Sequence, residues 1–117
     1  MQPEERYVIG IDSSTQSVKA IAWSKDGQPC FEGRAPHTLA SPDAYRAEQD
    51  PGEWWSAAIT ALKAVTDTLD PNRIDGVAIS NQRETMALLD HQRCLLAPAT
   101  VWLDRRAREM PALLSDE

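Results

Sequence analysis

Cysteine is scarce in this chain: Cys30 and Cys94 are the only two in 117 residues, and neither sits in a CxxC pair. That excludes a disulfide framework and points to reduced, buried structural thiols in a cytosolic, hence cytoplasmic, protein. Positive charge is also in deficit. Lys+Arg 12 against Asp+Glu 18 leaves a net charge of −6, with a pI near 4.8. This balance argues against nucleic acid or an anionic membrane surface as the partner, since both reward clustered Lys and Arg. No apolar run approaches the roughly 18 residues of a membrane span. The opening MQPEERYVIGI is acidic where a signal peptide is basic. His37 and His91 have no partners at metal-ligand spacing, so a zinc site is not expected, and His91 reads as a solvated turn residue. Neither GxxxxGK[ST] nor G-x-S-x-G occurs.

What remains is ordinary globular material, 42% hydrophobic and 26% charged, enough for one domain. YVIGI at 7–11 reads as a buried strand, and VKAIAW at 18–23 as a second with alternating faces. Ser24-Lys25-Asp26-Gly27 makes a hairpin turn into CFEGR at 30–34, a third strand. Residues 35–49, punctuated by Pro36 and Pro42, read as a loop. Asp50-Pro51-Gly52-Glu53 announces a helix, with Asp50 as N-cap and Glu53 closing a capping box. Trp55, Ile59, Leu62, Val65 (or Thr66) and Leu69 follow as its apolar stripe, and Asp70-Pro71-Asn72 stops it. Of Trp54 and Trp55, one is expected in the core and the other over the loop. IDGVAI at 74–79 is a further buried strand; 86–90 and 94–96 form a hairpin about His91-Gln92-Arg93; 99–103 is the last strand, and Asp104 opens a helix to Leu114. The order is β-β-β-α-β-(β-β)-β-α. Ser115-Asp116-Glu117 follow without a closing element, so the chain reads as the front of something longer.

Three polar segments each follow an apolar strand: Asp12-Ser13-Ser14-Thr15-Gln16, Ser80-Asn81-Gln82-Arg83-Glu84 and Asp104-Arg105-Arg106. Ligands of α/β sheets collect at strand ends, so the three invite one cleft. In the first, backbone N–H groups and the hydroxyls of Ser14, Thr15 and Ser17 suit phosphate oxygens, and Asp12 suits a hydrated Mg²⁺. On composition alone the commoner reading is a plain hairpin turn. Gln82, Arg83 and Glu84 together supply the donors and acceptors that a polyhydroxylated ligand needs, against the alternative of an exposed salt bridge. Trp102 offers a flat apolar face to the carbon side of a sugar, or to the core.

Taken together, YVIGIDSSTQSVKAIAW, EQDPGEWW, IDGVAISNQRETMALLD and LLAPATVWLDRRA resemble, in order and spacing, the N-terminal domain of the FGGY family of carbohydrate kinases, from Tyr7 to Ala107. The resemblance implies an α/β, ribonuclease H-like domain of the actin-like ATPase type: a mixed sheet with an N-terminal antiparallel meander and flanking helices. Residues 1–117 would be the N-terminal part of the first of two such domains. It implies ATP and Mg²⁺ as cofactors, with Asp12 near the metal and Ser14, Thr15, Gln16, Ser17 and Lys19 around the phosphates. Gln82, Arg83, Glu84 and Trp102 would meet a small-molecule sugar or polyol, such as xylulose or glycerol. Bacterial xylulokinases of the family carry Met-His where this chain has Arg83-Glu84, whereas the glycerol kinases resemble it there. The general-base Asp is expected downstream of these blocks, so no catalytic residue is assigned within them, Asp104 included. A homodimer is the assembly considered for the full-length protein. Rival readings are a non-catalytic sugar-binding or regulatory relative and a ribonuclease H-like nuclease.

Overall fold

The sheet is built outward from the alternation in the first strands. In the computed structural model, which describes residues 4–114, β1 (Tyr7–Ser13), β2 (Ser17–Ser24) and β3 (Pro29–Pro36) form an antiparallel meander. Gly27, with φ 77°, supplies the left-handed residue of the β2–β3 turn, and its N–H donates to the Ser24 carbonyl at 3.0 Å. β5 (Ile74–Asn81) then pairs parallel with β1, giving the order β3-β2-β1-β5. A parallel neighbour needs a crossover, and α1 (Pro51–Thr66) lies between them in sequence. This is the mixed sheet expected of the α/β class. The chain divides into two units, one holding residues up to Thr38 with Gly52–Gln82, the other Leu39–Pro51 with the residues from Arg83 onward.

In the first unit one face of the sheet is dry. Tyr7, Ile9 and Ile11 of β1, Val18, Ala20 and Ala22 of β2, and Ala35 of β3 pack with Ala57, Ala61, Val65 and Leu69. The expected apolar stripe on α1 is therefore half right. Val65 and Leu69 are buried and Leu62 partly so, but Trp55 is 70% exposed and Ile59 is also exposed. The reason lies at Gly33, where any Cβ would overlap the Ala61 carbonyl oxygen. The helix comes so close to β3 that only small side chains fit between, and Ala57 and Ala61 turn inward in place of the bulky pair. Trp54 is half-buried.

Glu53 takes on a further role, and two expectations, for β5 and for the cysteines, are corrected. Glu53 spends a carboxylate oxygen on the Thr38 N–H at 2.7 Å, outside its own helix. β5 is exposed throughout after Ile74, with Ile79 at 69%, because it is an edge strand and no described residue covers it. Cys30 and Cys94 are free and exposed, not buried. α1 ends at Thr66, short of the stop expected at Asp70-Pro71-Asn72; Asp70 instead accepts the Asn72 N–H at 2.9 Å and opens a single 3₁₀ turn at Pro71–Arg73.

In the second unit β4 (Glu48–Gln49) pairs antiparallel with β6 (Ala99–Thr100), around buried Ala47, Gln49, Ala99 and Val101. The hairpin expected over 86–96 shrinks to an isolated Leu89–Leu95 bridge. There Asp90 accepts the N–H groups of Gln92 and Cys94, both at 2.8 Å, offering the backbone an alternative to the ladder. The strand expected over 99–103 is shorter: β6 ends at Thr100, the Val101 N–H makes one more bond across to the Ala47 carbonyl, and residues 102–103 turn. The final helix does not start at Asp104. Residues 104–105 are irregular, a turn fills 106–109, and α2 spans only Met110–Leu114. The expectation for Ser115–Glu117 lies outside the described residues.

The Gly33 approach predicts a sharp contrast. Gly33→Ala should destabilise the chain by about 3 kcal/mol or prevent folding, as overpacking against backbone does. Gly76→Ala, with nothing within 4 Å of the new methyl, should shift stability by less than about 0.5 kcal/mol. Urea denaturation of the two variants checks this; equal effects would remove the close approach as the constraint.

Candidate functional site

β1 delivers Asp12 and Ser13 to the end of the sheet. Across the antiparallel ladder Asp12 stands opposite Lys19, and on the parallel side opposite Ser80 of β5. The chain then reverses through Ser14-Thr15-Gln16-Ser17, closed by the Ser14 N–H donating to the Ser17 carbonyl at 3.0 Å. The Ser14 hydroxyl donates to Asp12 Oδ1 at 2.8 Å, so it fixes the carboxylate while leaving Oδ2 outside that bond. Asp12 and Gln16 are exposed, and Ser14, Thr15, Ser17 and Lys19 are half-buried. Gln82 continues the line of the β1–β5 ladder, its N–H donating to the Ser13 carbonyl at 3.0 Å. Parallel pairing thus brings the Gln82 backbone to the strand end that carries Asp12.

A recess of about 410 Å³ opens on the sheet face away from α1, with Asp12, Lys19 and Ser80 at its polar end and Ile21, Trp23 and Ile79 along its apolar part. A single exposed carboxylate, an ammonium and several hydroxyls are a donor set that fits a phosphate chain carrying a hydrated divalent cation. Among the described residues no three His, Cys, Asp or Glu side chains gather to hold a metal. A cation here would have Asp12 as its protein ligand and keep most of its waters, as Mg²⁺ does. Two residues that sequence reasoning passed over shape the turn. Arg34 of β3 donates to the Ser17 hydroxyl oxygen through Nε at 3.3 Å and Nη2 at 3.2 Å. His37 donates its N–H to the Gln16 carbonyl at 3.0 Å and places Nε2 2.9 Å from the Ser14 carbonyl. Their signal lay in strand pairing, which sets Ser17 opposite Pro36 and Lys19 opposite Arg34.

Arg83, Glu84 and Trp102 belong to the second unit. Arg83 and Glu84 are exposed, and Glu84 holds φ at 52°, a left-handed backbone that costs a side-chain-bearing residue energy. Trp102 follows β6 in a turn and is 52% exposed, so it is not a core residue of its unit.

Asp104 has quite different surroundings. Its side chain is only 4% exposed. Oδ2 accepts the Ala47 N–H at 2.8 Å and Arg106 Nη2 at 2.7 Å, while Oδ1 accepts the Arg106 N–H at 3.0 Å. Arg106 reaches Glu48 Oε1 as well, at 2.7 Å. The guanidinium, with the Ala47 and Arg106 N–H groups, holds the Asp104 carboxyl well below the usual carboxylate range. An acid so engaged is a strut between chain segments and a poor proton acceptor.

Comparison with known proteins gives these features a context. Residues 7–117 match the FGGY family of carbohydrate kinases, N-terminal domain. The xylulose kinase of Klebsiella pneumoniae is 36% identical over 109 residues, covering 93% of this chain and 23% of its own. The solved xylulose kinase of Rhodospirillum rubrum superposes with a TM-score of 0.86 at 29% identity, over 96% of this chain and 24% of that one. The Plasmodium falciparum glycerol kinase with ADP superposes with a TM-score of 0.84 at 25% identity, over 97% and 23%. The chain spans less than a quarter of the length of these relatives.

The strut predicts a pH signature. A depressed carboxyl stabilises the fold above its unfolded-state pKa and loses that contribution as the pH falls towards its folded value. Asp104→Asn should therefore lower the melting temperature at neutral pH, and the gap to wild type should shrink below about pH 4. A gap that stays constant on acidification would show that the Asp104 charge does not contribute.

Proposed function

The chain belongs to the FGGY family of carbohydrate kinases, and from that premise we propose that the full-length protein transfers the γ-phosphoryl group of ATP to a hydroxyl of a small open-chain sugar or polyol. The observation that carries the reading is the Asp12–Ser14 turn: a carboxylate oriented by a hydroxyl, opposite a lysine, at the end of β1. Phosphoryl transfer asks the protein chiefly to position reactants and neutralise charge. In this reading Thr15, Gln16 and Ser17 donate to phosphate oxygens, Ser14 contributes to the nucleotide site by orienting Asp12, and Lys19 supplies positive charge. Asp12 holds the hydrated Mg²⁺, which when bound offsets charge on the transferring phosphoryl. Gln82, Arg83 and Glu84 grip adjacent substrate hydroxyls from two sides, and Trp102 packs on the carbon face. The proton of the attacking hydroxyl goes to an Asp outside residues 1–117.

Relatives named as xylulose and glycerol kinases support a pentulose or glycerol as acceptor. ADP in the Plasmodium glycerol kinase supports ATP as donor. A cytoplasmic home suits ATP-dependent chemistry and the two free thiols, and a homodimer is the assembly to test by mass in solution.

Kinetics of the full-length protein, with ATP and acceptor varied separately over glycerol, xylulose, ribulose and larger ketoses, separate the two halves of this reading. Asp12→Ala and Thr15→Ala should raise the half-saturating ATP concentration and leave the acceptor's nearly unchanged. An effect confined to the acceptor would move the turn out of the nucleotide site. Glu84→Ala should weaken acceptor saturation roughly ten- to a hundred-fold, the loss of about 1.5–3 kcal/mol expected of a hydrogen bond to a charged group. Glu84→Gly should do the same while relieving the left-handed backbone. Unchanged acceptor curves in both variants would make Arg83 and Glu84 surface residues.

A further inference from the structure

We propose that His37 is a positioning residue for the phosphate turn, holding the Ser14 and Gln16 carbonyls away from the nucleotide so that the tip of the turn, with the Thr15 N–H, faces it. The proposal rests on reading residues 14–17 as that turn. Ser14-Thr15-Gln16-Ser17 contains neither glycine nor proline, so nothing in its own covalent chemistry fixes its peptide planes. Two of its carbonyls end on one residue. The His37 N–H takes the Gln16 oxygen at 3.0 Å and the imidazole Nε2 lies 2.9 Å from the Ser14 oxygen. A carbonyl oxygen only accepts, so Nε2 carries the proton in this contact, whether the ring is neutral or cationic.

The consequence follows from peptide geometry. No peptide among the described residues is cis, and in a planar trans peptide the C=O of one residue and the N–H of the next point in opposite directions. Drawing the Ser14 carbonyl to His37 therefore turns the Thr15 N–H the other way, while capture of the Gln16 carbonyl fixes the adjoining peptide, whose Ser17 N–H lies on the Ser14 side of β2. A turn with its carbonyls outward would set partial negative charges against phosphate; with its N–H groups outward it forms an anion-binding concavity.

His37 is itself anchored. It is half-buried, it follows directly on β3, and the next residue, Thr38, donates its N–H to Glu53 Oε2 at 2.7 Å in the first turn of α1. Arg34, three residues earlier, bonds the Ser17 hydroxyl. A chain of contacts thus runs from α1 through Thr38 and His37 to the turn, entirely within the first unit.

The test uses the full-length protein and two readouts, hydrogen–deuterium exchange over residues 12–20 and calorimetric titration with MgATP. His37→Leu keeps bulk and drops the donor, His37→Ala drops both, and His37→Gln keeps a donor near the Nε2 position. The first two should speed exchange at residues 14–17 and weaken MgATP binding about two- to tenfold, the cost of one neutral hydrogen bond. His37→Gln should recover most of both. Unchanged exchange and affinity in Leu and Ala variants overturn the proposal, as does a Gln variant no better than Leu. Faster exchange with undiminished MgATP binding also overturns it, and Thr15→Ala then locates the fault. If Thr15→Ala weakens MgATP binding, the error concerns His37 alone; if it does not, the phosphate-turn reading has failed as well.

Discussion

The contact between Gly33 and the Ala61 carbonyl sets the dimensions of the first unit. Because β3 has no side chain at this point, α1 settles directly onto the sheet, and the space between them admits alanine and little else. Ala20, Ala22, Ala35, Ala57 and Ala61 share one core with the bulkier Tyr7, Ile9, Ile11, Val18, Val65 and Leu69. The alanines bury little apolar area each, so their contribution depends on close packing more than on bulk. The same approach brings the first turn of α1 to the end of β3, where Glu53 receives the Thr38 N–H. That contact, with the Thr38 hydroxyl and nearby His37, holds the Glu53 carboxyl below its ordinary range.

From that packing the candidate site inherits its order. The crossover through α1 makes β5 parallel to β1, and parallel neighbours present their C-terminal ends on the same side. Asp12, Ser80 and the Gln82 backbone are therefore side by side because the strands that carry them run the same way. An antiparallel β5 would have put Ser80 at the opposite end. β2 contributes Lys19 by register, and β3 supplies Arg34 and His37 to the turn from behind. Strand pairing fixes the backbone at this end, and side-chain hydrogen bonds hold Asp12 through Ser14, Ser17 through Arg34 and the Ser14 carbonyl through His37, the kind of preorganisation that charge-stabilising chemistry requires.

The second unit is organised by charge. Two short strands and a few small apolar residues are a slight core, and Asp104, Arg106 and Glu48 tie its segments across 58 residues of sequence. Arg108 adds a guanidinium 3.5 Å from the centre of the Tyr45 ring. Glu84 keeps a left-handed backbone in this setting, a local strain that the surrounding structure has to support.

Local periodicity made the meander legible. Alternation in VKAIAW set Val18, Ala20 and Ala22 on one face of a strand, Asp26-Gly27 placed the turn, and the hydroxyl-rich residues after β1 marked a polar strand end; four sequence blocks together carried the family resemblance. What the sequence could not settle were matters of distance between segments far apart in the chain. Nothing in the helix reveals that Trp55 and Ile59 face outward, because that depends on Gly33, which lies outside it. Nothing near Asp104 reveals that it binds Ala47, 57 residues away, and so opens no helix. His37 looked idle because its partner, Ser14, is 23 residues back. Propensity and pattern act over a few residues, and they determined the strands, the turns and the polar strand ends. Packing distance and hydrogen-bond capture act across the fold, and they decided which helix face is buried, which carboxylate is a strut and which residues hold the turn.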